Sequence, residues 1–90
     1  MLFMVVEDFR NRDKKAVYRR FRDKGRMTPE GLKFVSSWVT ADMTRCFQLM
    51  EADDITLLQK WVAEWCDLAE FEIVPVVAGK DTAEALSSQL

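Results

Sequence analysis

The order of strand-like and helix-like segments is the feature that most restricts the fold of this chain. Four short segments are rich in apolar and β-branched residues, as strands are; they are residues 2–9, 32–40, 45–51 and 71–77. Helical segments follow the first and the third of them, which gives the order βαββαβ. Because crossover connections are right-handed, this order predicts an α+β domain with a single four-stranded sheet. Both helices would cover one face of an antiparallel sheet ordered 4-1-3-2.

The two helical segments carry clear signals at their ends. Asp13 can cap the start of the first helix, and Gly25 is placed to end it. Asp53 or Asp54 can cap the second helix. The second helix has a wide apolar stripe formed by Leu57, Leu58, Trp61, Val62, Trp65 and Leu68. We expect the two tryptophans of this stripe to pack on the sheet rather than to serve a site.

A chain of 90 residues is long enough for one domain. We predict that residues 1–79 form it and that residues 80–90 form a polar C-terminal tail with a weak helical pattern. The apolar run at the N-terminus is six residues long, which is far too short to cross a membrane. It also lacks a basic leader and a cleavage pattern. We therefore expect a cytoplasmic protein with no membrane partner.

Composition excludes several kinds of catalytic and metal site. Histidine is absent, which excludes an imidazole base, the histidine-containing catalytic triads and every histidine-based metal site. The three glycines are too scattered to form a phosphate-binding loop. Cys46 and Cys66 are too few for a structural zinc site, and we expect both to be free, largely buried thiols. The sequence therefore predicts no metal and no cofactor.

Charge is distributed unevenly along the chain, although the net charge is only −2. Residues 10–26 hold nine of the thirteen basic residues and only two acidic ones. Two interpretations of the basic helix at 13–26 stay open. It can be a solvated face whose lysine and arginine stems cover apolar surface, or it can attract phosphate, nucleic acid or an acidic partner.

The predicted sheet is mainly apolar on both faces, although two helices can cover only one of them. An uncovered apolar face of that size predicts an interaction surface. A second copy packed sheet on sheet would bury it, which predicts a homodimer. The more mixed set of strand positions comprises Ser36, Trp38, Gln48 and Glu72, and we assign this set to the space between the two sheets.

Several strings of this sequence resemble one known family. They are residues 1–7 (MLFMVVE), 25–26 with 29–32, 37–39, 45–51 (RCFQLME), the tryptophans at 61 and 65, and 71–76 (FEIVPV). Together they are similar to the short bacterial proteins of the domain-of-unknown-function 3303 family, over nearly the whole chain apart from the tail. The resemblance implies a ferredoxin-like protomer in a dimeric α/β barrel. It implies no activity and no catalytic residue.

Two functional hypotheses follow for the space between the sheets. In the first, the protein binds a small molecule there through Ser36, Trp38, Gln48 and Glu72, although a packed dimer interface with satisfied polar groups would explain the same residues. In the second, the protein is an enzyme, for example a cofactor-free oxygenase of the barrel class. Without histidine the base would be a carboxylate such as Glu72, with hydrogen bonds from Tyr18 and arginines.

A third hypothesis is RNA binding, because βαββαβ is also the order of the RNA-recognition motif. The segment 45–50 resembles part of that motif superficially. However, its glycines are missing, and Leu49 stands where a stacking aromatic would be needed. The basic residues also lie on the first helix, across the sheet from the face that RNA would use. These departures weigh against a nucleic-acid partner.

Overall fold

The computed structural model describes residues 1–9 and 13–90 and has the predicted order of elements. The strands are β1 (Leu2–Asp8), β2 (Lys33–Val39), β3 (Arg45–Glu51) and β4 (Glu70–Val76). The helices are α1 (Lys14–Lys24), α2 (Thr56–Trp65) and α3 (Gly79–Leu86), and a short 3₁₀ helix covers Ser87–Gln89. Residues 10–12, which open the basic segment, lie outside the described residues.

The four strands form one antiparallel sheet in the order β2-β3-β1-β4, which confirms the predicted order read from the other edge. Val5 at the middle of β1 lies opposite Gln48 of β3 and Ile73 of β4. The pairing of β2 with β3 shifts between Phe34 and Ser36, where β2 has a bulge. The bulge puts Phe34 and Ser36 on opposite faces, although their spacing alone would place them on the same one.

The hydrophobic core lies between the sheet and α2. Leu58, Trp61 and Trp65 of α2 are buried in one cluster with residues of β1 and β3, including Val5 and Met50. The Trp61 ring also meets the Phe71 ring edge to face, with centroids 5.8 Å apart. The apolar stripe predicted for the second helix is therefore confirmed as its buried side.

An aspartate caps the start of α1, as predicted. The Asp13 side chain accepts a hydrogen bond from the backbone N–H of Lys15 at 3.0 Å, and Gly25 ends α1 with a φ of 71°. At α2 the residue that directly precedes the helix is Ile55, whose side chain makes no capping hydrogen bond, so neither Asp53 nor Asp54 is the N-cap residue. The side chain of Asp54 accepts a hydrogen bond from the backbone N–H of Thr56 at 2.9 Å.

The predicted polar tail contains α3, which spans Gly79–Leu86 and is exposed along its whole length. The weak helical pattern seen in the sequence thus corresponds to a helix. Within the described residues, no helix is long and apolar enough to cross a membrane.

The two faces of the sheet differ in what covers them. We call the face under α1 and α2 the inner face and the opposite one the outer face. The inner face includes Phe3, Val5 and Glu7 of β1, all of which are buried. The outer face carries Leu2, Met4, Val6, Ser36, Trp38, Phe47, Leu49, Glu72, Val74 and Val76. Within the described residues this face stays partly open to solvent: Trp38 on the edge strand β2 is 54% exposed and Val74 is 37% exposed.

Candidate functional site

The structure separates the four residues that the sequence assigned to one site. Ser36, Trp38 and Glu72 lie on the outer face, whereas Gln48 lies on the inner face. The reason is the register: Gln48 pairs with Val5, whereas Glu72 pairs with the next residue of β1. Neighbouring residues of a strand point to opposite faces. The prediction that one space holds all four side chains is therefore wrong, because strand positions were compared without knowing the pairing.

A cavity of about 210 Å³ lies between the inner face and the two helices α1 and α2. Its apolar wall comes from both helices and the ends of the strands: Phe9, Val17, Tyr18, Phe21, Val39, Trp61 and Trp65. Its polar wall comes from Glu7, Arg26, Ser37, Cys46 and Gln48. In other proteins a dry cavity of about 150 Å³ holds one benzene molecule, so this cavity has room for a single ring with a small substituent.

Three polar side chains of the cavity form one hydrogen-bonded chain. The Arg26 guanidinium donates from Nη1 to the Gln48 side-chain oxygen at 2.6 Å, and the Gln48 amide nitrogen donates to Oε2 of Glu7 at 2.8 Å. Glu7 and Gln48 are each only 5% exposed. The amide thus connects a cation at one end to a buried carboxyl group at the other, and its orientation is fixed by both partners.

Burial sets the protonation behaviour of the acidic groups in the cavity. It raises the pKa of the Glu7 carboxyl, while hydrogen bonds from Gln48 and Cys46 and the charge of Arg26 act in the opposite direction. Burial together with the neighbouring Glu7 raises the pKa of the Cys46 thiol to about 12. Cys46 is therefore a neutral thiol at physiological pH and is not an activated nucleophile. Cys66, the other free cysteine, is exposed, so the prediction of two buried thiols is wrong for this residue: it ends α2 outside the buried side of the helix.

The backbone around Arg26 is held by contacts from distant parts of the chain. Its carbonyl oxygen accepts hydrogen bonds from the indole nitrogens of Trp61 at 2.9 Å and Trp65 at 3.0 Å. The residues on either side, Gly25 and Met27, both have a positive φ, of 71° and 61°. Positive φ is unfavourable for methionine, so surrounding contacts must hold this conformation.

The guanidinium of Arg26 lies against aromatic rings. Its central carbon is 3.7 Å from the ring centroid of Phe34 and 5.1 Å from that of Phe21. Burial lowers the pKa of this guanidinium, but arginine keeps its charge in proteins. The result is a fixed positive charge at the edge of the cavity.

Reasoning from the sequence missed the two charged residues of this site. Glu7 was included in the first strand, and its position two residues after Val5 was the available sign that it shares a face with the core. Arg26 was counted only as one of nine basic residues. Its place directly after the helix-ending Gly25 gave no indication that two tryptophans bind its carbonyl. Tyr18, considered as a hydrogen-bond donor, does line the cavity.

Comparison with known proteins gives a family and no function. A family model described as "Domain of unknown function (DUF3303)" matches residues 1–90, which is the whole sequence. No curated protein matches the chain, and no solved structure matches it. Evidence for a function therefore comes from the geometry of the cavity and of the outer face.

Proposed function

Because the chain belongs to the DUF3303 family, whose description assigns no activity, we propose from its geometry that it binds a small organic molecule in the inner cavity. The observation that carries the proposal is a cavity of about 210 Å³ with aromatic walls and a buried chain of three polar side chains. Small-molecule sites combine a mainly apolar wall with a few well-placed polar groups. This cavity has both properties.

The polar chain itself supports a role in binding. Burying a carboxyl group and an amide in a domain core is unfavourable unless every group finds a partner, and an apolar core would avoid that requirement. Glu7, Gln48 and Arg26 satisfy one another, yet they do so at the wall of a cavity rather than inside a packed layer. A site that must orient a ligand by hydrogen bonds needs such groups.

The three tryptophans allow a direct test of the proposal. Trp61 and Trp65 line the cavity, whereas Trp38 lies on the outer face. In Trp38→Phe, tryptophan fluorescence comes from the cavity alone. We expect benzyl alcohol, a single-ring neutral probe, to change this fluorescence saturably and to shift both indole N–H signals in NMR spectra. Absence of saturable binding would contradict the proposal.

A matched pair of substitutions locates the probe. Val39 lines the cavity and is 43% exposed, whereas Val35 of the same strand is 50% exposed and is not part of the cavity wall. We expect Val39→Phe to weaken binding of benzyl alcohol by narrowing the cavity and Val35→Phe to leave it unchanged. Equal effects of the two substitutions would place the probe elsewhere.

We propose a homodimer that uses the outer face. The centre of this face is apolar and includes Met4, Phe47 and Val74, while charged residues such as Arg45 and Glu70 lie toward its ends. An apolar centre with a polar rim is the usual composition of a protein interface. Uncovered apolar surface in a single chain supports a second copy as the occupant. Sedimentation at micromolar concentration is expected to give twice the monomer mass.

This arrangement gives no support to RNA binding. The residues that resemble the RNA-recognition motif lie on β3, and the face that RNA would use is the outer one. The basic helix α1 packs on the inner side of the sheet, where its Val17 and Phe21 line the cavity. The basic residues of α1 are therefore on the far side from such a surface.

A second candidate function is proton abstraction from the bound molecule, with Glu7 as the base. The observation that favours it is the burial of Glu7, which raises its pKa, in the same cavity as the cation of Arg26. The earlier candidate for the base, Glu72, is exposed on the outer face. If Glu7 is a base, the protein should accelerate deuterium exchange at the α-carbon of cyclohexanone. Glu7→Gln should abolish this effect, and Glu72→Gln should retain it.

A further inference from the structure

We propose that the ligand of the inner cavity is an organic anion, a small carboxylate with a ring or branched apolar body, whose carboxylate binds the guanidinium edge of Arg26. This inference rests on the proposed function and adds the chemical class of the ligand. The apolar body would lie against Trp61 and Trp65, whose indole rings form part of the cavity wall.

Arg26 has hydrogen-bond donors that no residue of the described chain uses. A guanidinium has five N–H groups, and among residues 1–9 and 13–90 only the Nη1 atom of Arg26 has a hydrogen-bond partner, Gln48. No buried side-chain nitrogen or oxygen in this part of the chain lacks a partner. The remaining nitrogens of this half-buried side chain are therefore accessible from the cavity or from solvent.

Within residues 1–9 and 13–90, Arg26 differs from the arginines of α1 in its ion pairing. Arg19, Arg20 and Arg22 each form an ion pair with an aspartate at 3.0, 2.7 and 2.8 Å. Within the described chain, Arg26 has no such pair, and the nearest carboxyl group in its hydrogen-bonded chain, Glu7, is separated from it by the amide of Gln48. Arg26 thus keeps a charge that an incoming carboxylate can neutralise.

The guanidinium of Arg26 is held against two aromatic rings. Its contacts with Phe34 and Phe21 and the double hydrogen bond to its carbonyl restrict where the group can lie. Rings that cover a guanidinium occupy its faces and leave its edge, where the N–H groups point. That edge matches the two oxygens of a carboxylate, which is why arginine is preferred for planar, two-point recognition.

The basic helix α1 also favours an anionic ligand. Ion pairs with aspartates offset three of its six basic side chains, and Lys14, Lys15 and Lys24 form no ion pair within residues 1–9 and 13–90, so α1 keeps a net positive charge beside the cavity whose wall it forms. The rest of the chain is acidic, so the positive potential is concentrated on this side of the molecule. A localised positive potential raises the rate at which an anion reaches a neighbouring site.

The test compares benzoate with benzamide, which have the same ring and nearly the same size but differ in charge. Both are titrated into the full chain carrying Trp38→Phe. We expect benzoate to bind about tenfold more tightly or better, because a hydrogen bond to a charged partner contributes more than one between neutral groups. Arg26→Gln should remove this preference: it should weaken the binding of benzoate much more than that of benzamide, so that the two probes bind with similar affinity.

Two further variants separate the guanidinium from general positive charge. Arg22→Gln removes an exposed arginine of α1 and should keep the preference for benzoate, whereas Arg26→Lys keeps the charge without the planar edge and should retain only part of it. If Arg26→Gln does not fold, the affinities of benzoate and benzamide for the chain with an unaltered Arg26 still test whether the cavity prefers a carboxylate. Equal affinities, or tighter binding of benzamide, would overturn the inference while leaving cavity binding intact. Failure of benzyl alcohol to bind would instead overturn the proposed function.

Discussion

The two faces of the same sheet differ less in how apolar they are than in where their polar groups stand. Along β1, alternate residues go to opposite sides: Phe3, Val5 and Glu7 to the inner face, Met4 and Val6 to the outer. The inner face encloses its polar groups and bonds them to one another, whereas the outer face keeps most of its charges near its ends. We infer that buried, interconnected polar groups mark a ligand site and that an apolar centre with a charged rim marks a partner surface.

The largest expected effect is on the inner core. Trp61→Ala should lower the free energy of unfolding by about 3–5 kcal/mol, because it removes a buried large side chain and leaves a void. Ile55→Ala, at the exposed start of the same helix, should change it by about 0.5 kcal/mol or less. Urea titration followed by circular dichroism measures both. A small effect at Trp61 would contradict its assignment to the core.

The next effect tests the outer face. Val74, 37% exposed in the single chain, lies at the apolar centre of this face. Val74→Asp would bury an unpaired charge in the dimer and should raise the dissociation constant at least about a hundredfold, which corresponds to roughly 3 kcal/mol. The measurement is sedimentation equilibrium, with Glu72→Gln as the control at the neighbouring outer position. Unchanged association in Val74→Asp would mean that copies do not meet through this face.

A smaller effect is expected from the polar chain of the inner face. Gln48→Leu leaves both Glu7 and Arg26 without their partner and should lower the free energy of unfolding by about 1–3 kcal/mol. The triple variant Glu7→Leu, Gln48→Leu, Arg26→Met removes all three polar groups and should recover much of this loss, because no unpaired group remains. The three single substitutions are also measured alone. If their losses of unfolding free energy add up to the loss in the triple variant, the three side chains do not act as one unit.

The smallest effect is a pH dependence due to Glu7. Burial raises its pKa in the folded state, so the folded chain binds more protons than the unfolded chain between the ordinary value of 4.5 and the raised one. Stability should therefore fall as the pH rises through this window. Glu7→Gln should flatten that fall, as measured by the urea midpoint from pH 4.5 to 8.

The opposite slope is expected at lower pH. Hydrogen bonds from Thr40 and Thr44 lower the pKa of Asp42 to about 2. The ionised Asp42 carboxylate contributes fully to the stability of the folded state above its ordinary pKa of 3.8, and this contribution is lost as the pH falls toward 2. Glu7→Gln should leave this loss of stability below pH 3.8 unchanged. If the substitution reduced the loss, the low-pH slope could not be assigned to Asp42.

Local signals were enough to predict most of the fold. The cap at Asp13, the end of α1 at Gly25 and the buried stripe of α2 each depend on residues close together in the sequence. Chirality of the crossovers then supplied the strand order.

The site could not be predicted in the same way, because it depends on pairing between distant segments. A one-residue difference in register sends a side chain to the other face, which is how Gln48 became grouped with Glu72. The bulge of β2 shifts its register with β3 by one residue, and the alternation of apolar and polar residues along the sequence does not show this shift. Arg26 owes its position to indoles 35 and 39 residues away.

The single carbonyl oxygen that accepts both indoles has a kinetic consequence. Any movement that withdraws the Arg26 carbonyl breaks the hydrogen bonds of Trp61 and Trp65 together. The two indole protons, one turn apart on α2, should therefore exchange with solvent deuterium at matched rates, as members of one opening unit. A bound molecule that stabilises Arg26 should slow both rates by the same factor. The residence time of the bound molecule would then depend on how often the Arg26 carbonyl breaks its hydrogen bonds to the two indoles.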